Sequence, residues 1–134
     1  MNISLAQPSS QTTILLIEPD DDARPALVTN LQNRGYRVIV TVTPEDAQEW
    51  AKQCSQPPDL ILCNQVAETI EGCLKKAQVI RQELAKPSRT PIVILAERYG
   101  CELEGQNIHQ GDNSYVAYLE NAQQLFDLLV QLCS

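Results

Sequence analysis

Five short apolar runs punctuate the chain: Ile14–Ile17, Val38–Val42, Leu60–Cys63, Ile92–Ala96 and Tyr115–Leu119. Runs this short, edged by turn residues, suggest strands buried on both faces. Between them the apolar positions change to helical spacing. Ala23, Ala26, Leu27 and Leu31 share one face after "EPDDD", with Asp21 or Asp22 as N-cap and Pro25 in the first turn. Gly35 stands where a helix stop is needed. "TPED" (Thr43–Asp46) supplies a cap, a first-position proline and acids for the first turn. Ala47, Trp50, Ala51 and Cys54 form the stripe behind it, and Ile70, Cys73, Leu74, Ala77, Ile80, Arg81 and Leu84 form another that ends before "KPSRTP". The last helix carries Ala122, Leu125, Phe126, Leu129 and Cys133, with Leu128 and Leu132 widening its apolar arc. "ERYGCELEGQNIHQG" (Glu97–Gly111) has three glycines and few apolar anchors. It predicts a short or irregular helix and the most mobile part of the domain.

Strands alternating with helices imply right-handed crossovers and a parallel sheet covered on both faces. Five such units predict an α/β, doubly wound, flavodoxin-like sheet of order 2-1-3-4-5. The 134 residues fit one domain with a real core. It is expected over 13–134, after a disordered polar tail at 1–12. A net charge of -7, from 17 acids against 10 bases, argues against nucleic acid as a direct partner. The five cysteines (Cys54, Cys63, Cys73, Cys101, Cys133) are odd in number and lack a C-x-x-C pair, so neither a disulfide frame nor a zinc site is expected. Reduced thiols in a cytoplasmic chain are the expectation. No apolar stretch is long enough for a membrane span, and the N-terminus has no signal-peptide pattern.

In a sheet of this kind ligands sit at the carboxyl ends of the strands, near the switch between the first and third. That rim comprises Glu18, Pro19 and Asp20, then Asn64, then Ala96 with Glu97, and then Tyr118. Here the chain resembles the receiver domain of bacterial response regulators, the chemotaxis-regulator (CheY-like) type. "ILLIEPDDDAR" resembles the first strand and its acidic loop, and "NRGYRV" the turn into the second strand. "PPDLILCN" resembles the third strand with its phosphoacceptor position, and "IEG" (Ile70–Gly72) stands where "MDG" is usual. "VIRQEL", "TPIVILAE" and "GDNSYVAYLE" resemble the third helix and the last two strands. The resemblance runs from Thr13 to about Leu132.

The resemblance implies two adjacent acids after the first strand, which hold magnesium with the phosphoacceptor. Here they fall on Glu18 and on Pro19, which has no ligand side chain. The phosphoacceptor falls on Asn64, a neutral amide and no carboxylate nucleophile. The hydroxyl residue falls on Ala96 and the lysine on Tyr118. Tyr115 takes the place of the aromatic switch residue, and with Ala96 beside it a packing role is expected. The joint loss predicts a pseudo-receiver without phosphoryl transfer, no enzyme, and no cofactor. Asn64 is expected to be a structural amide bonded to the rim backbone, and Tyr118 to fill the space of the lysine. Glu18 with Asp20, Asp21 and Asp22 is the one candidate cation site, although such runs are more often solvated helix starts. His109 is expected to pack at the surface or in a loop.

Because receivers often meet partners through their fourth helix, fifth strand and fifth helix, Leu128 and Leu132 are the expected partner surface. The partner would be another protein or a second copy of the chain, with a fully covered helix as the alternative. The leading expectation is therefore a phosphorylation-independent signalling domain acting through protein contacts, as the regulatory module of a longer protein. A small-molecule or thiol redox sensor is the alternative. There Cys101 and Cys133 are the better candidates, because Cys63 should point away from Asn64 into the helix layer and lie inert. A phosphoacceptor using Glu68, the nearest acid, ranks last.

Overall fold

The computed structural model describes residues 11–84 and 89–133. Its elements are β1 (Thr13–Ile17), α1 (Arg24–Asn33), β2 (Arg37–Thr41), α2 (Pro44–Gln53), β3 (Leu60–Asn64), α3 (Ile70–Glu83), β4 (Ile92–Leu95), β5 (Asn107–His109), β6 (Ser114–Ala117) and α4 (Ala122–Cys133). Among the described residues they build one six-stranded sheet, ordered β2-β1-β3-β4-β6-β5. The first five of these pair in parallel, in the order expected for a doubly wound sheet, with β6 as the fifth strand. β5 is an addition that pairs antiparallel with β6 at the edge.

That strand corrects the expectation for Glu97–Gly111. The segment forms turns and β5 instead of a helix. Gly105 and Gly111 take φ of 88° and 81°, a left-handed conformation that breaks a helix. The backbone donors find partners on the sheet edge: Gly105 N–H donates to the Tyr118 carbonyl at 2.7 Å, and Tyr118 N–H donates to the Gln106 carbonyl at 2.8 Å.

Strand alternation sorts the core into two layers. Leu15, Ile17, Ile61, Cys63, Ile92, Ile94 and Val116 face α2 and α3. Ile14, Leu16, Leu60, Leu62, Val93, Leu95 and Ala117 face α1 and α4. The expected cap of α2 and stripe of α3 are present: Thr43 Oγ1 accepts from Asp46 N–H at 3.1 Å, and Ala77, Ile80, Arg81 and Leu84 are buried. Gly35 ends α1 with φ of 93°. α1 starts differently from expectation. Ala23 is its N-cap and makes no side-chain cap bond, because the loop is held instead by Asp20, whose Oδ1 accepts from Asp22 N–H at 2.9 Å. Its inner face is Leu27, Val28 and Leu31, while Ala26 is exposed. The expected tail lies outside the described residues as far as residue 10. Gln11 and Thr12 are already tied in, bonding to the Gly35 carbonyl and to Arg37 N–H.

The partner surface assigned to the last helix is overturned. Leu128 is 2% exposed, and Leu132 packs against the same core cluster. Leu125, Phe126, Leu128, Leu129, Leu132 and Cys133 all pack on the same core layer, so the wide arc is that of a covered helix, the alternative expectation. That face lies on the sheet, and the exposed apolar residue of α4 is Val130.

Candidate functional site

The rim is built where β1 and β3 end side by side, with Ile17 in register with Cys63. Glu18 follows β1 directly. Its N–H donates to the Thr41 carbonyl at 3.0 Å, which holds the backbone against β2 and carries the side chain inward. Glu18 is 1% exposed. A carboxylate so deeply withdrawn from water needs hydrogen-bond donors. Asn64 supplies them: Asn64 Nδ2 stands 2.9 Å from both Glu18 Oε1 and Oε2. Asp20 N–H adds a third contact, donating to Oε2 at 3.1 Å. The Arg24 guanidinium donates to the Glu18 carbonyl at 2.8 Å and pairs with Asp21. Asn64 is thus a structural amide as expected, but its partner is the surviving acid and not the rim backbone.

These residues do not fit magnesium. The ion prefers several oxygen ligands. Here both Glu18 oxygens are taken by the amide, and Pro19 offers none. Among the described residues no group of three His, Cys, Asp or Glu stands close enough to hold a metal ion. Asp20 turns to its own loop. Glu68, the nearest acid to Asn64 along the chain, pairs with Lys76 at 2.8 Å.

The other rim positions have become packing. Ala96 and Tyr118 both lie against the α2/α3 core layer. Tyr118 meets Tyr99 edge to face at 5.3 Å between ring centroids, and the Tyr99 hydroxyl donates to the Leu119 carbonyl. Two aromatic rings therefore occupy the end of the sheet between β4 and β6. Tyr115 is half-buried on the opposite face, packed against the α1/α4 layer. His109, opposite it in register on β5, lays its ring against the Tyr115 ring at 4.8 Å.

A cleft of about 240 Å³ opens beside the Glu18–Asn64 pair. Its walls include Pro19, Asn64, Glu68, Cys63, Cys73 and Lys76. Cys63 does point into the helix layer, away from the Asn64 side chain, as alternation requires. Cys73, near the start of α3, belongs to the same buried cluster and lines the same cleft. Sequence reasoning missed this pair. The available signal was that an inward residue at the end of β3 must face an inward residue at the start of α3.

No family model matches the chain. A stretch of 86 residues is 33% identical to the transcriptional regulatory protein AfsQ1 of Streptomyces coelicolor, covering 64% of this chain. The chain spans about a third of the length of that relative (35%). The fold is similar to a response regulator receiver protein from Sinorhizobium medicae, at 20% identity and a TM-score of 0.68, over 94% of this chain and 97% of that one. The chemotaxis protein CheY4 of Vibrio cholerae is similar at 18% identity and a TM-score of 0.68, over 92% and 99% of the two chains. The receiver domain of the Pseudomonas aeruginosa sensor histidine kinase PA1611, whose structure has magnesium coordinated in its active-site cleft, is similar at 22% identity and a TM-score of 0.64, over 92% and 98%. The fold is that of response-regulator receivers. The chain shares that CheY-like fold, with an added edge strand between its last two parallel strands in sequence.

Proposed function

We propose that this domain is a pseudo-receiver: a phosphorylation-independent signalling module that acts through protein contacts in the cytoplasm and catalyses nothing. The observation that carries this reading is the closed pair at the former phosphoacceptor position. A receiver site needs an unengaged carboxylate nucleophile and a metal held by acids. Here the nucleophile position is an amide, and that amide is spent on the single acid beside it. Buried carboxylates of like charge disfavour one another, so an amide in this place also removes a repulsion that a metal would otherwise have to balance.

The partner surface has to be sought away from the inner face of α4. Val79 on α3 and Val40 and Val42 at the β2 edge are exposed apolar residues. The test is incubation with magnesium and acetyl phosphate, and separately with beryllofluoride, followed by intact mass and thermal unfolding. No adduct and no shift in melting temperature are expected. A covalent phosphoryl species, or stabilisation that depends on magnesium, overturns the reading. A sensor role draws support from one observation only, the thiol pair in the cleft.

A further inference from the structure

Cys63 and Cys73 are 5% and 3% exposed and belong to one buried cluster. Each thiol donates to one oxygen: Cys63 Sγ to the Asn64 carbonyl at 3.9 Å, and Cys73 Sγ to Glu68 Oε2 at 3.8 Å. Both residues also form part of the cleft wall, and a space of about 240 Å³ admits several water-sized molecules. Two buried thiols on the wall of one small cleft form a site for two-electron chemistry.

The pair is asymmetric. Cys73 is pulled below the usual thiol range, first by the hydrogen bond from Cys63 and further by the Lys76 charge, against burial and Glu68. It also stands in the first turn of α3, where the helix dipole favours an anion. Cys63 is pushed far up, first by its hydrogen bond to Cys73 and then by burial, and so keeps its proton.

We propose that Cys63 and Cys73 form a reversible disulfide when a small hydroperoxide enters the cleft, with Cys73 as the attacking thiolate and Cys63 as the resolving thiol. The Cys73 sulfur attacks the terminal peroxide oxygen. An S–O bond forms, the O–O bond breaks, and the departing alkoxide or hydroxide takes up the proton that Cys73 gave to solvent. Cys73 is then a sulfenic acid and the peroxide is reduced. Cys63 attacks that sulfur: the S–S bond forms, the S–O bond breaks, and hydroxide leaves with the Cys63 proton as water. Two thiols and one hydroperoxide thus become a disulfide, an alcohol or water, and one water. The bond would tie the end of β3 to the start of α3 and pin the rim loop that carries Val66, Ala67 and Glu68. This site goes beyond the pseudo-receiver reading, and the outcome of phosphoryl labelling has no bearing on it.

The test uses the whole chain and a Cys54→Ser/Cys101→Ser/Cys133→Ser variant that leaves both buried thiols in place. Each is treated with hydrogen peroxide, then read by intact mass, thiol titration and peptide mapping. Cleavage after Glu68 or Glu71 is required, because Cys63 and Cys73 share one tryptic peptide. Both proteins should form a Cys63–Cys73 link, and the triple variant should lose both thiols and about 2 Da, restored by dithiothreitol. Cys63→Ser should stop at a sulfenic acid on Cys73 that a 1,3-diketone traps, and Cys73→Ser should form neither species at Cys63. Peroxide doses that fully oxidise the exposed Cys101 but leave the pair reduced overturn the proposal. So does a disulfide between any other two cysteines. Should either serine variant fail to fold, as judged by far-ultraviolet circular dichroism, the triple variant decides alone.

Discussion

Asn64 and Cys63 are neighbours on one strand and face opposite sides of one sheet, and the two sides have been finished differently. On the α1/α4 side the central strands are covered, and the side ends at the rim in a charge whose hydrogen bonds are met within the fold. On the α2/α3 side the layer stops short of the rim. It leaves a cleft walled by two thiols, an ammonium and a carboxylate. The difference separates a closed pair of side chains at the rim from an open space beside it. The Asn64 amide closes on Glu18, while the space beside the β3–α3 loop stays open between strand ends, loop and α3.

The contrast is sharpest in a pair of charge insertions. Leu128→Glu places a carboxylate in the closed face and should cost more than about 4 kcal/mol, enough to abolish folding. Val79→Glu, on the α3 surface at 44% exposure, should stay within about 0.5 kcal/mol of the parent. Equal losses in urea titrations would contradict the difference in burial between the two positions.

Next in size is Asn64→Asp, which sets two carboxylates in contact at a nearly buried site. It should lose about 3 kcal/mol at neutral pH. The sign follows from the repulsion. The pair takes up a proton more readily in the fold than in the unfolded chain, so the deficit should shrink as pH falls toward about 4. A deficit that grows on acidification would contradict the geometry. Asn64→Ala removes the amide and strands the Glu18 carboxylate, at a cost of about 2 kcal/mol by denaturant unfolding. A neutral result would mean that water replaces the amide without loss.

The smallest effect is expected at Cys133. Burial first, and the Asp59 charge second, push its thiol up to about 11. The fold therefore favours the neutral thiol. Its contribution is present below the ordinary thiol value and lost as pH rises from about 9 through about 11. Unfolding midpoints should drift down over that window, and Cys133→Ala should flatten the drift. A variant with an unchanged slope would assign the drift to another group.

Much of this was legible in the sequence because it is local. Short apolar runs between turn residues give strands, Thr43–Pro44 opens a helix, and alternation alone sends Cys63 away from Asn64. The absence of a second acid, a nucleophile, a hydroxyl and a lysine can be read directly at Pro19, Asn64, Ala96 and Tyr118. For Leu128 the sequence left a partner surface and a covered helix both open, and the fold chose the covered helix.

Other features belong to the tertiary structure. Glu97–Gly111 has too weak a pattern to choose its own state, and the unpaired edge of β6 decides it as β5 by offering hydrogen bonds. The Glu18–Asn64 bond joins residues 46 positions apart, and only the parallel register of β1 and β3 brings them within 2.9 Å. Cys63 and Cys73 share one cleft wall only because the crossover from β3 folds α3 back over the sheet. The sequence determined which groups are present and which face each one takes. The tertiary structure alone decided which of them meet, because that depends on how the strands align and where the loops return.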